Sequence, residues 1–250
     1  MTDMPLPRED ILTSLKSILK AYNSGIIKAE TMPEDARPVV DADSRELVHY
    51  LTFPMALNYQ RNSYTLWENA LKLYNDSNRK YVFYPSNVVG VDFDILQRDL
   101  IHYKVALQPN KHVMTWSVIS KTIFDLYNND VRNIFIEANW DIASIKESLQ
   151  IKNKKRFPYL SGNKIANYWL YVLSQYTDLP FTNLSALTVA PDTHVIQASI
   201  QLGLIDSKQD PALVADLWSK ILSGTGISPI SIHTPLWLWS RSNFAFKPEV

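Results

Sequence analysis

Apolar residues recur at helical spacing along most of the chain. Between positions 8 and 23, for example, Ile11, Leu15 and Ile18 fall on one face of a helix, and a glycine follows the segment. The pattern predicts a nearly all-α protein. The predicted helices lie at about 8–23, 44–61, 64–75, 93–106, 112–128, 141–150, 163–177, 192–203, 210–223 and 229–241.

Two segments depart from this pattern. Residues 30–43 are rich in proline and acidic residues, which is typical of a loop. Residues 79–92, RKYVFYPSNVVGVD, carry β-branched and aromatic residues and are the best strand candidate in the chain. This segment is consistent with a minor β-hairpin or with an ordered loop. Within the second predicted helix, Pro54 favours a kink because its ring displaces a backbone hydrogen bond.

The composition limits the size and class of the protein. The chain has 250 residues, of which 46% are hydrophobic and 20% are charged. That is enough for one substantial core or for two helical lobes around a cleft, and it excludes wholesale disorder. The absence of cysteine excludes disulfides, thiol catalysis and cysteine-ligated metals. The five histidines lack the spacing of metal ligands, so we expect neither a metal nor another cofactor.

The sequence also bears on where the protein acts. The first residues show no signal-peptide pattern. No apolar run approaches the roughly 18 residues that suggest a membrane span. We therefore expect an intracellular protein that has no membrane partner.

Charge is balanced over the whole chain but not along it. Lysine and arginine number 25, as do aspartate and glutamate, whereas a non-specific nucleic-acid binder is usually basic. The exception is segment 152–164, KNKKRFPYLSGNK, in which Gly162 and Asn163 stand at the turn that opens the next helix. Backbone N–H groups at such a turn bind anions, so the segment suits a phosphate backbone, although a solvated basic loop is the simpler alternative. Its cations are Lys152, Lys154, Lys155, Arg156 and Lys164.

A second notable segment is APDTHVIQASIQLGL, residues 190–204. Here Pro191 and Asp192 precede a run with helical apolar spacing. An aspartate at a helix start accepts free backbone N–H groups, and the helix dipole favours its negative charge. Taken alone, the segment predicts only a well-capped helix.

Together, the two segments resemble motifs of the helix-hairpin-helix DNA glycosylase superfamily. In that family a hairpin glycine and a lysine lead into a helix, and an aspartate opens a later helix. GNKIAN (162–167) and PDTHVIQASIQLGL (191–204) look like those two motifs. The hairpin departs from the common pattern, because Leu160 and Ser161 replace part of its glycine spacing.

Within this superfamily the chain is most similar to the archaeal 8-oxoguanine DNA glycosylases. The resemblance implies one glycosylase-like unit over 1–250, with lobe one at about 44–160 and lobe two formed by 1–43 and 161–250. The hairpin would lie between the lobes. Four segments carry the resemblance in the family's order: FPMALNYQRNSYTLWENALKLY (53–74), GNKIANYW (162–169), PDTHVIQASIQLGLID (191–206) and LWSKILSGTGISPISIHTPLWLWSR (217–241).

The resemblance assigns the chemistry to two residues, with Lys164 as nucleophile and Asp192 as its carboxylate partner. Breaking the bond between sugar and base creates positive charge on the sugar, which a carboxylate stabilises. A lysine must be neutral to attack the same carbon, so its pKa has to fall. Attack by lysine leads to a Schiff base and allows β-elimination. Gly162, Asn163 and the neighbouring cations would hold the DNA backbone.

The resemblance also implies a pocket for the extruded base. Trp67, Tyr168 and Trp237 are its expected aromatic contacts, because a flipped base is held between ring faces. Two positions depart from the family, in which an aspartate stands where we align His233 and a lysine where we align Tyr171. Both family residues help to hold an oxidised guanine. The resemblance as a whole implies an oxidised purine as the substrate, and the absence of these two residues leaves another damaged base open.

Two other functions stay open. An N-glycosidase of a modified nucleoside or nucleotide, similar to the queuosine-salvage proteins, would suit the neutral net charge. A non-catalytic DNA-binding module would keep the fold alone, although retention of Lys164 and Asp192 argues against it. The leading expectation is a DNA-repair N-glycosylase with β-lyase activity. It would act as a monomer on damaged double-stranded DNA in the nucleoid.

Overall fold

The computed structural model describes residues 5–28 and 31–249. Residue 30 of the predicted loop, and residues 1–4, 29, 30 and 250 of predicted lobe two, lie outside the described residues. Within them the chain is helical without a β-strand, and Asp141 and Thr182 form an isolated bridge. The all-α prediction is confirmed. The α-helices are α1 Arg8–Asn23, α2 Arg45–Ala56, α3 Ser63–Asn75, α4 Pro85–Val89, α5 Phe93–His102, α6 Met114–Leu126, α7 Arg132–Glu137, α8 Ile142–Glu147, α9 Asn163–Tyr176, α10 Thr193–Gln201, α11 Pro211–Leu222 and α12 His233–Arg241.

Short polar side chains determine where several helices begin. Ser44 accepts a hydrogen bond from the backbone N–H of Leu47 at the start of α2. Asn62 does the same for Thr65 at the start of α3. Each such cap satisfies a backbone donor that has no partner within the helix, and contributes about 1 kcal/mol. The local sequence therefore specifies these boundaries directly.

The chain divides into two compact units, and the first consists of Met1–Thr31 with Leu184–Val250. In this unit α10 packs against α12, and α1 packs against both α11 and α12. Leu15, Trp218 and Leu236 are fully buried at these contacts. The Trp218 indole N–H donates to the hydroxyl of Ser199 at 2.9 Å, so the polar edge of the ring is satisfied inside the core.

The second unit is Met32–Asn183 and contains α2 to α9. Helix α2 packs against α3, α6 and α9, and α4 packs against α6. The Trp169 indole N–H, on α9, donates to Thr52 on α2 at 3.1 Å, with both residues fully buried. Helix α9, which the sequence-based division assigns to lobe two, lies in this unit.

Residues 79–92, for which the sequence left a minor β-hairpin or an ordered loop open, form no strand. Lys80–Phe83 form a 3-10 turn and Pro85–Val89 form α4. Val82 and Phe83 are buried, and the Phe83 ring lies 5.3 Å from that of Tyr50. A short apolar run fits a strand or a packed turn equally well by periodicity, and tertiary packing determines which forms here. Pro85 then begins α4, where its missing N–H is harmless.

Candidate active site

Residues 152–164, which we call the basic turn, precede and open α9, and two buried apolar residues hold them in place. A π-helical turn, Ser148–Lys152, and a 3-10 turn, Lys154–Arg156, follow α8. Phe157 and Leu160 are fully buried and anchor the segment that leads to α9. The cations that we predict to bind the DNA backbone are all exposed: Lys152, Lys154, Lys155 and Arg156. Lys152 forms an ion pair with Glu147 at 3.1 Å.

Three predicted residues lie at the start of α9. Gly162 is the N-cap residue, and a Cβ added there would lie 3.0 Å from the carbonyl oxygen of Tyr159. Asn163 is the first helical residue and accepts a hydrogen bond from Gln150 at 3.2 Å. Lys164 is the second, and its side chain is exposed. The amine therefore stands in the first turn, where the helix has unpaired N–H donors and positive dipole charge.

In the first unit, Asp192 caps α10 with one carboxylate oxygen. Oδ1 accepts the backbone N–H groups of His194 and Val195, each at 3.0 Å. Oδ2 accepts the indole N–H of Trp237, on α12, at 3.1 Å. Both oxygens act as acceptors, which is the hydrogen-bonding pattern of a carboxylate. The structure thus brings into contact Asp192, the predicted catalytic carboxylate, and Trp237, a predicted contact of the base.

A polar chain supports this carboxylate. The ring of His194 lies edge-on to Trp237 at 5.5 Å, and its Nδ1 lies 3.2 Å from the Ser240 hydroxyl. Ser240 in turn donates to Gln197 at 3.0 Å. The guanidinium of Arg241 lies 4.8 Å above the Trp237 ring, within range of a cation–π contact. The Trp237 ring is therefore fixed from several sides, and so is the N–H that it gives to the carboxylate.

His233 is the remaining predicted pocket residue of this unit. It is the first residue of α12, one turn before Trp237, and its side chain is 4% exposed. Positions four apart on a helix lie on the same face. His233 therefore stands on the face of α12 that also carries Trp237.

In the second unit, a buried acid connects two predicted pocket residues. Glu34 lies in a 3-10 turn, Pro33–Asp35, and accepts the hydroxyl hydrogen of Tyr168 at 3.3 Å. The indole N–H of Trp67 is also close enough to influence the pKa of Glu34. Tyr171 extends the cluster, with its ring 6.2 Å from that of Tyr168. Both tyrosines are partly exposed, whereas Trp67 is fully buried.

Glu34 is a residue that sequence reasoning missed. Burial raises the pKa of its carboxyl to about 7, and the bonds from its own backbone and from Tyr168 only partly oppose this. An acid in a proline-rich loop looks like surface in the sequence. Its burial depends on Trp67 and Tyr168, which lie far away in the chain, so no local signal reveals it.

Lys146 is a second residue that sequence reasoning missed. It lies on α8, and burial lowers the pKa of its amine. Its Nζ lies 3.5 Å from the side-chain oxygen of Asn167, on α9. An amine whose pKa is lowered by burial has the property that a lysine nucleophile needs. Lys146 is therefore the natural comparison for Lys164 in any test of covalent chemistry.

A recess of about 150 Å³ also lies in the second unit. Tyr59, Arg61, Lys111, His112 and Tyr159 contribute to its lining. The guanidinium of Arg61 donates to two backbone carbonyl groups, which fixes it at the wall. The recess is aromatic and cationic. It adjoins the basic turn through Tyr159.

Metal-binding clusters and membrane-spanning helices are both absent from the described residues. Among residues 5–28 and 31–249, no group of three or more histidine, aspartate or glutamate side chains could hold a metal ion. In the same part of the chain, no helix has the length and apolar character needed to cross a membrane.

Comparison with known proteins identifies the fold. No family model and no curated protein matches the sequence. Two solved structures are similar in fold, one described as a trapped endonuclease III–DNA covalent intermediate, an estranged-adenine complex, and the other as a non-covalent endonuclease III–DNA complex. Their sequence identities are 16% and 17%, and their TM-scores are 0.60 and 0.61. Each alignment covers 98% of this chain and 91% of the other. The chain therefore has the same all-helical fold as endonuclease III.

Proposed function

We propose that this protein is a DNA-repair N-glycosylase with β-lyase activity. The observation that carries the proposal is the fold shared with DNA-bound endonuclease III over nearly the whole chain. Fold alone does not determine activity, so the residues have to support it. Lys164 in the first turn of α9 and the carboxylate of Asp192 at the start of α10 supply the required groups.

The proposed reaction begins at the anomeric carbon of a damaged nucleotide. The Nζ atom of neutral Lys164 attacks C1′, and the bond from C1′ to the base breaks with its electron pair going to the base, which takes up a proton. Asp192 stabilises the positive charge that develops on the sugar. Opening of the sugar ring then gives a protonated Schiff base between Lys164 and C1′. Loss of a proton from C2′ breaks the C3′–O bond and releases the 3′ phosphate.

The remaining predicted residues receive roles in the same proposal. The exposed cations of the basic turn, with Gly162 and Asn163, hold the DNA backbone. Tyr168 and Tyr171 contact the extruded base by their rings, and Trp67, being fully buried, contributes its N–H rather than a ring face. We also assign Trp237 and His233 to base recognition. The substrate is an oxidised purine in double-stranded DNA, and the protein acts as a monomer at the nucleoid.

Borohydride trapping tests the proposal, because hydride reduces the C=N bond of a Schiff base to a stable amine. Duplexes would carry 8-oxoguanine, uracil, thymine glycol, hypoxanthine or an abasic site. We expect the wild-type protein to be trapped on abasic DNA and on at least one lesion, and Lys164→Gln to abolish the adduct. Lys146→Gln is the matched control and should keep it. Absence of an adduct on every duplex would exclude the lyase activity. Loss of the adduct only in Lys146→Gln would identify Lys146, rather than Lys164, as the nucleophile.

A second function is favoured by one observation, the zero net charge of the chain. An N-glycosidase of a modified nucleotide would use the basic turn to hold one phosphate rather than a strand. Such an enzyme would turn over a free nucleotide, and its affinity for duplex DNA would vanish at moderate salt. Turnover of a nucleotide without trapping on any duplex would select this function over the first.

A further inference from the structure

The recess of the second unit is built from stretches of chain that contain no acidic residue. Its lining comes from the end of α2 and the loop after it, from the turn before α6, and from the basic turn. Positions 47–67, 100–124 and 148–177 hold no aspartate or glutamate, although acidic and basic residues are equal in number over the whole chain. The recess therefore has cations, Arg61 and Lys111, without a carboxylate from the same stretches.

These two cations both act on a third lining residue, His112. Burial lowers the pKa of His112, and the positive charges of Arg61 and Lys111 lower it further. Burial also lowers the pKa of the Arg61 guanidinium. No carboxylate among the described residues raises either pKa. The positive charge inside the recess is thus not neutralised by the protein itself, so a bound anion would be stabilised there.

The Arg61 guanidinium is fixed in place and still has hydrogens to donate. One terminal nitrogen donates to the carbonyl of Val105 at 2.6 Å, and the other donates to the carbonyl of Lys104 at 2.9 Å. Each terminal nitrogen carries a second hydrogen. Because the guanidinium is already ordered, it loses little conformational freedom when it binds an anion.

His112 is held as a hydrogen-bond donor. Its Nδ1 lies 3.1 Å from the backbone nitrogen of Leu107 and accepts that N–H. The hydrogen of the neutral ring is therefore on Nε2, which can donate to a ligand. Protonation of Nδ1 would break the bond from Leu107, which agrees with the lowered pKa. The recess thus offers two cations and one neutral donor.

Two tyrosines add ring faces to the same recess. The rings of Tyr59 and Tyr159 lie 6.0 Å apart at an angle of 36°, and both side chains are exposed. Exposed aromatic rings beside a cationic site suit a nucleobase, because every base has a face that can stack. Tyr159 belongs to the basic turn, so a strand that lies along this turn can reach the recess.

We infer that the recess binds a nucleotide that ends in a phosphomonoester. Arg61, Lys111 and the Nε2–H of His112 hold the phosphate, and the base lies against the exposed tyrosine rings. A terminal phosphate carries about −1.5 to −2 charges near pH 7, which matches two cations better than the single charge of a phosphodiester. None of these residues has a role in the proposed reaction, so the inference does not depend on it.

A phosphomonoester occurs on a free nucleoside monophosphate and at the 5′ end of a DNA strand, and the test distinguishes these sources. Single-stranded oligonucleotides with a 3′ fluorescent label would carry either a phosphate or a hydroxyl at the 5′ end. All other contacts are shared, so the ratio of the two Kd values isolates the recess. We expect the phosphorylated strand to bind about 10-fold more tightly, because it gains charge-assisted hydrogen bonds.

Matched variants test which residues hold the phosphate. Lys111→Gln combined with His112→Asn removes a cation and the Nε2 donor, and the asparagine oxygen can still accept the Leu107 N–H. The preference for the phosphorylated strand should fall to about 2-fold in this double variant. Lys104→Gln, at an exposed position outside the recess lining, should keep the full preference. Arg61 is left in place, because its two carbonyl bonds hold the wall of the recess.

Competition against the phosphorylated strand identifies the source of the ligand. Deoxyadenosine monophosphate should displace the strand at a lower concentration than either deoxyadenosine or inorganic phosphate. A Kd for the monophosphate equal to that of the strand would identify a free mononucleotide as the full ligand. A Kd for the strand that is at least 10-fold lower, with the preference for the 5′ phosphate retained, would identify the end of a DNA strand.

Three results would overturn the inference. The first is equal binding of the two strands by the wild type, and the second is a preference that the double variant keeps in full. The third is displacement by inorganic phosphate as effective as that by deoxyadenosine monophosphate, which would show an anion site that does not hold a base. Borohydride trapping has no part in this test, so its failure would refute the proposed lyase without affecting the recess.

Discussion

Trp237 donates its indole N–H to Oδ2 of Asp192 at 3.1 Å, and the other oxygen of the same carboxylate caps α10. Asp192 thus caps α10 with one oxygen, and Trp237 on α12 fixes the position of the other oxygen. Capping and catalysis make different demands on this residue. Capping needs an acceptor, whereas stabilising a cationic sugar needs a negative charge. Variants that remove only the charge can therefore separate the two roles.

Asp192→Asn removes the charge and keeps the capping acceptor. Its amide NH2 replaces the oxygen that accepts the Trp237 N–H, so we expect the free energy of unfolding to fall by about 1–2 kcal/mol, as for loss of that hydrogen bond alone. Excision should fall by about 100-fold or more, because charge stabilisation at the sugar is lost. The matched control is Asp210→Asn, since Asp210 caps α11 in the same way and has no proposed role. Equal excision by the two variants would contradict the assignment of Asp192.

Trp237→Phe keeps an aromatic ring and removes the N–H that holds Oδ2. The lost hydrogen bond should lower the free energy of unfolding by about 1–2 kcal/mol, because its acceptor is charged. Excision should fall about 10-fold, since the carboxylate can now rotate. Trp218→Phe removes a comparable indole bond, to Ser199 in the core. That control should lose similar stability and keep its excision rate, measured by chemical denaturation and single-turnover kinetics.

The exposed cations of the basic turn predict the salt dependence of DNA binding. Each phosphate contact contributes a slope of about −0.9 to log K against log salt. Replacing Lys154 and Lys155 by glutamine should therefore reduce the magnitude of the slope by up to about 2. The exposed pair Lys16 and Lys20, on α1, serves as the control for the loss of two charges. The slopes can be read from fluorescence anisotropy titrations, and equal slopes for the two variants would show that the turn does not hold DNA.

The sequence predicted much of this structure, for reasons that are local. Apolar spacing and caps such as Asp192 are encoded within one helix, so α1 and α9 to α12 lie within a few residues of their predicted bounds. The short helix α7 was not predicted, because six residues carry too little periodicity. Neither the bond from Trp237 to Asp192 nor the burial of Glu34 has a local signal. Both depend on residues that meet only after the helices have packed.

Glu34 should make the protein less stable as pH rises. Its pKa is about 7 in the folded protein and near 4.5 when exposed, so above pH 4.5 the unfolded chain loses its proton more readily. Stability is then lost until pH 7, where the folded form ionises too. Glu34→Gln removes this effect, and its advantage over the wild type should grow by about 2–3 kcal/mol between pH 5 and pH 8. Urea denaturation at both pH values measures it, and Glu68→Gln should show no such trend.

His49 should have the opposite effect over nearly the same range. It is 1% exposed, its Nδ1 donates to the carbonyl of Phe83 at 3.1 Å, and its Nε2 accepts the N–H of Val131 at 3.3 Å. This arrangement requires a neutral ring, and burial lowers the pKa of His49 from 6.5 to about 4. Below pH 6.5 His49 binds a proton in the unfolded chain but not in the folded protein, so the free energy of unfolding falls until about pH 4.

The two effects should nearly cancel in the wild type. From pH 8 to pH 5 we expect a gain of about 2–3 kcal/mol from Glu34 and a loss of about 2 kcal/mol from His49. The unfolding free energy of the wild type should therefore change by only about 1 kcal/mol over this range. Glu34→Gln should lose stability on acidification, because only the effect of His49 remains. His49→Gln should gain it, and His102→Gln, at an exposed position, should follow the wild type. A parallel pH dependence in Glu34→Gln and His49→Gln would show that neither buried group has the pKa that its burial implies.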